Sequence, residues 1–192
     1  MNPPTATAAS ASASASASAY WKWDAAVPEP LLREIEASVA GVALSGGEVF
    51  SGDAEDTRHS DVHLFPGWHW MAGVLLNQAH WANRQAGWGY TLGLADALQY
   101  ARYGPGQHYH WHTDADMLST QPLTRKLTTI CLLSEPSEFE GGLLEIAGLQ
   151  EPLALRRGSV IVFPAALPHR VTPVVSGLRR SLTCWTVGPN LR

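Results

Sequence analysis

Short apolar runs in the second half of the chain constrain its fold more than any other feature. Five of them follow one another at short intervals, separated by glycine, proline or polar residues, at positions 127–133, 143–146, 159–163, 169–175 and 181–187. Two earlier segments, 88–91 and 96–103, alternate polar and apolar residues as half-buried strands do. Many short strands at such spacing predict a β-sandwich or jelly roll.

Two amphipathic segments nearer the N-terminus predict helices. Segment 28–40 carries apolar residues at helical spacing, namely Leu31, Leu32, Ile35 and Val39. Segment 70–86 fits a second helix, which places near one face the residues Trp70, Val74, Asn77 and Trp81. A short strand is predicted between them, at 62–65. We therefore expect a mainly β fold of the α+β class, with N-terminal helices packed against one sheet.

The length and composition of the chain predict one domain. A chain of 192 residues with 45% hydrophobic residues can bury a single sizeable core. We assign the domain to residues 20–192, with 20–95 as helical support and substrate side and 96–188 as the β-barrel core. Residues 1–19 include a stretch of alternating Ser and Ala. Without bulky apolar groups this stretch cannot offset its ordering entropy, which predicts a disordered low-complexity tail.

Charge and cysteine content limit the partners and the compartment. The formal net charge is -4 and the pI is near 6.0, so no general basic field favours a nucleic-acid partner. Neither a membrane-spanning apolar segment nor a signal-type segment is evident, so we predict a cytoplasmic protein without a membrane partner. Cys131 and Cys184 lie in apolar runs and are expected to be buried free thiols.

Three residues are spaced as metal ligands. His112 and Asp114 are two residues apart, and side chains at that spacing on a strand point to the same side. His169 follows an apolar β-branched run and a turn, from which it can approach across a barrel. Two histidines and one carboxylate form the facial triad of non-haem Fe(II) oxygenases, which leaves positions open for a chelating co-substrate and O2. The sequence therefore predicts a metal site.

The residues around this triad resemble a known family. The segment ending in the His-x-Asp pair resembles the signature Tyr-x-x-Gly-Gln-x-Tyr-x-x-His-x-Asp of the 2-oxoglutarate and Fe(II)-dependent dioxygenases, in their prolyl 4-hydroxylase-like branch. The matching positions are Tyr103, Gly106, Gln107, Tyr109, His112 and Asp114. Further blocks of the family type follow in the correct order, at 125–133, 141–146, 158–164 and 169–185. The resemblance spans residues 96–188.

The resemblance implies a fold, a set of cofactors and a set of site residues. The fold would be a double-stranded β-helix, meaning a cupin-like jelly-roll barrel. His112, Asp114 and His169 would bind Fe(II), and Arg179 would bind the far carboxylate of the co-substrate 2-oxoglutarate. These four residues are the predicted catalytic set, O2 is the second co-substrate, and ascorbate is an additional candidate cofactor. Further co-substrate contacts are expected from Tyr103, Tyr109 and Ser181.

Some positions depart from the family pattern or leave a choice open. Some relatives hold the co-substrate with a Tyr where this chain has Leu132, so we expect Tyr103 or Tyr109 to supply that hydrogen bond. Arg180 competes with Arg179, although strand alternation sends it to the opposite face. By the same alternation His110 shares the side of His112 and is expected to line the pocket. Two tryptophans are candidate walls of a substrate groove, Trp68 and Trp111.

The predicted activity is hydroxylation of an unactivated C–H bond coupled to decarboxylation of 2-oxoglutarate to succinate. By resemblance, the substrate is a prolyl residue in a peptide or protein, or a free amino acid or related small molecule. Repair of alkylated nucleobases is a related alternative, but its two-arginine pattern is not evident after His169. A different class is a non-oxygenase cupin-type metal-binding isomerase or binding module, against which Arg179 argues. The oligomeric state stays open.

Overall fold

The structure, a computed structural model, describes residues 6–8, 18–46, 57–115 and 120–190. Its helices are α1 (Glu29–Val39) and α2 (Trp70–Gln85), with one 3-10 turn at Pro136–Glu138. Its strands are β1 (Ala6–Ala8), β2 (Trp21–Trp23), β3 (Ser45–Gly46), β4 (Arg58–His59), β5 (Asp61–Pro66), β6 (Ala95–Tyr103), β7 (His108–His112), β8 (Leu123–Leu132), β9 (Phe139–Gly141), β10 (Leu144–Ile146), β11 (Val160–Pro164), β12 (His169–Val171), β13 (Val174–Gly177) and β14 (Arg179–Pro189).

The strands form two facing antiparallel sheets, as in a jelly roll. The major sheet has the order β1-β2-β11-β8-β14-β6-β5-β3, and the minor sheet has the order β10-β12-β7-β4. Strands β13 and β9 pair separately near one end. Neighbours that are distant in sequence, such as β14 between β8 and β6, show the crossovers of this architecture. The predicted mainly β jelly-roll fold with N-terminal helices is confirmed.

Both helices cover the outer face of the major sheet. Their buried residues form one core with the outward side chains of the strands, including Leu98 of β6 and Leu182 of β14. Helix α2 packs through Met71, Leu75 and a row of alanines, which allow it to approach the sheet closely. The face on which we placed Trp70 and Trp81 is instead turned outward, and these two side chains are 43% and 53% exposed.

Two predicted strands differ from those observed. Residues 88–91 form no strand, because the side chain of Asn83 accepts a hydrogen bond from the Tyr90 N–H and donates one to the Tyr90 carbonyl. The side-chain amide thus replaces a strand partner. The strand predicted at 169–175 is divided into β12 and β13, and Pro173, which has no N–H to donate, lies between them.

The expected N-terminal tail lies mostly outside the described residues. Within it the structure describes 6–8 and 18–19. Ala6–Ala8 pairs as β1 with Trp21–Trp23 at the edge of the major sheet, and this pairing satisfies backbone groups that β2 would otherwise leave open. The division of the chain into tail, helical part and barrel core stays a prediction.

The two cysteines and the two helices bear on the expectations drawn from composition. Cys131 and Cys184 are free and buried, and burial raises the pKa of each thiol to about 12. In the part of the chain that the structure describes, neither helix has the length and apolar character needed to cross a membrane.

Candidate metal centre

His112, Asp114 and His169 converge between the two sheets. His112 ends β7, His169 begins β12, and the two residues are direct cross-strand partners. The ligand atoms of the three residues all lie within 4.8 Å of one another. Nε2 of His112 is 3.7 Å from Oδ1 of Asp114, and Nε2 of His169 is 3.4 Å from Oδ2. The predicted triad is therefore brought together at one point.

Asp114 is positioned by backbone contacts as well as by strand alternation. Strand β7 ends at His112, and Asp114 lies in the bend that follows. The Asp114 N–H donates to the carbonyl of Ala165 at 2.9 Å, and the Ala165 N–H donates to the carbonyl of Lys126. The bend is thus attached to the adjoining ends of β8 and β11. This attachment presents the Asp114 carboxylate to both histidines.

The histidine tautomers follow from the hydrogen bonds of the second ring nitrogen. Nδ1 of His112 lies 2.7 Å from the carbonyl of His110, and Nδ1 of His169 lies 2.9 Å from the carbonyl of Leu167. Because a carbonyl oxygen can only accept, each Nδ1 must carry the hydrogen. Each Nε2 therefore presents its lone pair to the cluster, as a metal-binding imidazole requires.

Thr128 supplies a contact to the centre that the sequence analysis did not assign. Its hydroxyl donates to Oδ2 of Asp114 at 2.6 Å. Thr128 lies on β8, paired on one side with Phe163 and on the other with Trp185. The bond fixes the rotation of the carboxylate, which orients Oδ1 for a second partner. Strand alternation along β8 turns the Thr128 side chain inward, and this alternation is the sequence signal that could have indicated the contact.

Burial and neighbouring charges keep His112 and Asp114 in the states that bind a metal. Burial, followed by the neighbouring His169, lowers the pKa of His112 to about 4. Burial by itself raises the pKa of Asp114, but the neighbouring His169 and the hydrogen bond from Thr128 outweigh it and hold that pKa well below its usual range. At neutral pH the centre therefore offers a neutral imidazole and a carboxylate.

Arg179 is a buried cation beside this centre. It is 2% exposed, its Nη1 donates to the hydroxyl of Ser181 at 3.0 Å, and its guanidinium lies 5.5 Å from the ring centroid of Tyr103. Among the described residues no acidic side chain pairs with it, and burial lowers its pKa. A buried guanidinium without a carboxylate is costly, so the arrangement suits an anionic ligand.

Arg180, the competing arginine, points the other way. Its guanidinium pairs with Glu138 at 2.9 Å and with Glu36 at 3.7 Å. Strand alternation along β14 separates the two residues as expected. Arg179 is therefore the arginine that faces the metal centre.

The metal centre and Arg179 line one cavity, which we call the metal cavity. Its lining residues are Gln99, Tyr103, Tyr109, His112, Asp114, Ile130, Leu144, His169, Val171, Arg179, Ser181, Thr183 and Trp185. The predicted co-substrate residues Tyr103, Tyr109 and Ser181 are all among them, and their contact with a co-substrate stays a prediction. The Tyr109 ring stacks on the His112 ring at a centroid distance of 3.4 Å. Burial raises the pKa of Tyr109 to about 12, which keeps its phenol protonated.

Sequence reasoning missed six lining residues, of which three are aliphatic, Ile130, Leu144 and Val171, and three can offer polar or aromatic contacts, Gln99, Thr183 and Trp185. The signal was available in part, since Thr183 and Trp185 continue the alternation of Arg179 and Ser181 along β14. The Trp185 indole N–H is buried without a partner in the described structure, and the guanidinium of Arg125 lies 4.0 Å from its ring centroid. This pair gives the cavity an aromatic wall with a free donor.

The expectation that His110 lines the pocket is wrong. His110 is exposed and contacts the ring of His108 instead. The reason is a register shift between β7 and β12, in which His169 pairs with His112 whereas Val171 pairs with Tyr109. Three steps on β7 therefore match two on β12, and this bulge turns Tyr109 inward in place of His110.

The two candidate groove tryptophans do not line the metal cavity either. Trp68 is 86% exposed in the turn between β5 and α2. Trp111 is exposed and lies under the guanidinium of Arg170, at 4.9 Å from its ring centroid. A role for either residue in a substrate groove is not supported by the lining of the cavity.

The segment that carries the metal centre matches the model of a known protein family. Residues 98–187, which include the whole triad and Arg179, match the family model of the 2OG-Fe(II) oxygenase superfamily. The matched segment, 90 of the 192 residues, is similar to that superfamily. The match agrees with the resemblance seen in the sequence motifs.

Curated relatives match slightly less than half of the chain. A PKHD-type hydroxylase of Pseudoalteromonas atlantica is 39% identical in an alignment of 94 residues that covers 45% of this chain and 41% of the relative. A PKHD-type hydroxylase of Janthinobacterium is 37% identical in an alignment of 90 residues that covers 44% of this chain and 40% of the relative. The matched region thus spans less than half the length of these relatives.

Solved structures show that the fold is shared over nearly the whole chain. A viral collagen prolyl hydroxylase of Paramecium bursaria Chlorella virus-1, in its 2OG complex, superimposes with a TM-score of 0.68 at 21% identity and covers 88% of this chain and 96% of its own. A Pseudomonas putida prolyl-4-hydroxylase gives a TM-score of 0.68 at 22% identity, covering 90% and 94%. Residues outside the superfamily match therefore also follow this fold.

Proposed function

We propose that this protein is an Fe(II)- and 2-oxoglutarate-dependent oxygenase that hydroxylates an unactivated C–H bond. The observation that carries the proposal is the presence of two complementary sites in one cavity. A two-histidine, one-carboxylate cluster lies there with its ligand atoms within 4.8 Å of one another, and Arg179 lies there buried without an acidic partner. The cluster suits Fe(II), and the guanidinium suits the far carboxylate of a dicarboxylic 2-oxo acid.

The residues present fit iron by the chemistry of their donor set. Two imidazole nitrogens with defined tautomers and one ionised carboxylate are the ligands of a facial triad, which occupies one side of an octahedral ion. With Fe(II) and 2-oxoglutarate bound, the site would reduce O2, placing one oxygen atom in a substrate C–H bond and the other in succinate as CO2 leaves. Ascorbate is an additional candidate reductant.

The protein's own part in this reaction is to bind and to orient. Arg179 and Ser181 donate to the far carboxylate, and the hydroxyl of Tyr103 or Tyr109 replaces the donor that Leu132 cannot supply. Thr128 holds the carboxylate of Asp114 in one rotation. Asp114 and Arg179 are both buried, which strengthens each of these interactions.

We infer that the primary substrate is a prolyl residue in a peptide or protein, or a free amino acid. Support comes from the names of the relatives, which are PKHD-type hydroxylases, and from structural neighbours that are prolyl hydroxylases. One neighbour, from Trichoplax adhaerens, is a prolyl hydroxylase in complex with a peptide fragment. Trp185 lines the metal cavity and offers an aromatic side chain against which a ring could pack.

The alternative of a cupin-type isomerase or binding module explains less of the cavity. Such a protein needs the metal ligands but gives no reason for Arg179 to be buried without a carboxylate. We also propose a cytoplasmic location. A reducing compartment favours Fe(II), and Cys131 and Cys184 are both free thiols.

Product analysis tests this proposal. The purified chain is incubated in air with Fe(II), 2-oxoglutarate, ascorbate and pools of proline-containing peptides or free amino acids. We expect succinate to accumulate together with a product that has gained one oxygen atom by mass spectrometry, and His169→Ala to abolish both. Succinate formation equal in the wild type and in His169→Ala would contradict the assignment of the triad as the iron site.

A further inference from the structure

A second cavity shares a wall with the metal cavity. This side cavity has a volume of about 330 Å³ and is lined by Leu132, Pro136, Phe139, Gly141, Gly142, Leu143, Leu144, Leu153, Ala154, Leu155, Arg156 and Arg179. Two residues, Leu144 and Arg179, line both cavities. The wall at the carboxylate-binding end of the metal cavity is therefore backed by open space rather than by packed core.

The Arg179 side chain, which forms part of this wall, has few contacts that would hold it in place. The stem of Arg179 crosses Gly142 so closely that a Cβ at that glycine would lie 3.0 Å from Cδ of Arg179. Toward the metal cavity its one hydrogen bond is to Ser181, and among the described residues no acidic side chain holds it. A long side chain with one bond beside an open cavity can move without displacing core atoms.

Leu132 lines the side cavity behind this wall. It pairs with Ser181 across β8 and β14, and so points to the same inner face of the major sheet. It is buried, and it lines the side cavity but not the metal cavity. A larger side chain at this position would occupy the space behind Arg179.

We propose that the co-substrate site accepts 2-oxo dicarboxylates one methylene longer than 2-oxoglutarate, with Leu132 as the residue that sets this length. This inference rests on the proposed function. A closed pocket rejects one additional methylene by about 10- to 200-fold. Here Arg179 can retreat toward the side cavity while keeping its bonds to the carboxylate, so that penalty is removed. Turnover of 2-oxoadipate would then release CO2 and glutarate in place of succinate.

Binding measurements without oxygen chemistry test the proposal. The Mn(II)-loaded chain is titrated by isothermal calorimetry with 2-oxoglutarate and separately with 2-oxoadipate. We expect the Kd for 2-oxoadipate to lie within about tenfold of that for 2-oxoglutarate, the lower end of the usual discrimination. If 2-oxoglutarate binds and 2-oxoadipate binds more than about tenfold more weakly, as a closed pocket requires, the inference is overturned. If neither acid binds, the proposed function itself fails.

Two variants fill the side cavity from different sides. Leu132→Phe fills it from the core, and Ala154→Phe fills it from an exposed position on the loop between β10 and β11, where the risk of misfolding is lower. Both are expected to raise the Kd for 2-oxoadipate by about tenfold or more while changing that for 2-oxoglutarate by less than about threefold. Gln150→Phe, on the same loop but outside the side cavity, is the matched control and should change neither Kd. Unchanged binding of 2-oxoadipate to Ala154→Phe would show that the cavity plays no part.

Discussion

The hydroxyl of Thr128 donates to Oδ2 of Asp114 at 2.6 Å, from a strand that contributes no metal ligand. The bond joins the major sheet to the ligand cluster of the minor sheet. It accounts in part for the low pKa of Asp114. The next residue, Thr129, points to the opposite face, where its hydroxyl is buried without a partner in the described structure.

Removal of this bond should weaken metal binding. We expect Thr128→Val to lower the affinity for Mn(II) or Fe(II) by about 10- to 100-fold, because outer-shell partners of metal ligands contribute on that order. Isothermal calorimetry with Mn(II) measures the change. The isosteric control, Thr129→Val, should leave metal affinity unchanged and leave the free energy of unfolding equal or higher, since it removes an unsatisfied hydroxyl. Equal metal affinities for the two variants would refute the role given to Thr128.

Loss of the buried guanidinium should affect the co-substrate and spare the metal. We expect Arg179→Ala to raise the Kd for 2-oxoglutarate by about 30-fold or more, equivalent to about 2 kcal/mol, the low end for a buried charge pair. Titration of the Mn(II)-loaded protein measures it, and Mn(II) affinity in the absence of 2-oxoglutarate should stay near the wild-type value.

The neighbouring arginine supplies the matched control. Arg180 pairs with Glu138 and Glu36 away from the cavity, so Arg180→Ala should change the Kd for 2-oxoglutarate by less than about threefold, as expected for a surface ion pair. If Arg180→Ala weakens 2-oxoglutarate binding and Arg179→Ala does not, the assignment of the two arginines is reversed.

Arg157 attaches helix α1 to the barrel, and its loss should destabilise the fold. The guanidinium donates to the carboxylate of Glu36 and to the carbonyl of Leu133, and it also reaches Glu29. We expect Arg157→Met to lower the free energy of unfolding by about 1–3 kcal/mol at neutral pH, mainly through the half-buried contacts to Glu36 and Leu133. Urea denaturation measures the difference, and Arg156→Met, at the exposed neighbouring position, should have little effect.

The same variant should show a defined pH dependence. Hydrogen bonds from Arg33 and then Arg157 hold the pKa of Glu29 below its ordinary value, although burial opposes them. A carboxyl whose pKa is lowered by folding contributes stability above its unfolded pKa, near 4.3, and loses it as the pH falls through the folded pKa. The difference between wild type and Arg157→Met should therefore shrink below about pH 4. A difference that grows in acid would contradict this account.

The sequence indicated the ligand triad and the arginine because these depend on residue type, order and strand parity. Strand alternation also sends the side chains of Arg179 and Arg180 to opposite faces, because β14 is regular at these two positions. The same rule failed for His110, because a bulge in the pairing of β7 and β12 turns Tyr109 inward. No local pattern in the sequence marks the position of this bulge.

Other features depend on contacts between distant segments. Helix α2 buries its small residues and exposes Trp70 and Trp81, because close packing on the sheet excludes large rings. The bond from Thr128 to Asp114 requires the register of β8 against β11 and β14. The side cavity behind Arg179 depends on Gly142 and on the loop between β10 and β11, whose positions a strand pattern does not specify.

The central claim is that one cavity binds Fe(II) through the triad and 2-oxoglutarate through Arg179. Its most direct test is anaerobic visible absorption of the protein titrated with Fe(II) and then with 2-oxoglutarate. We expect a weak charge-transfer band that appears when both are present, is absent in His112→Ala, and needs more 2-oxoglutarate in Arg179→Ala. A folded, iron-loaded wild-type protein that shows no band at saturating 2-oxoglutarate would contradict the account.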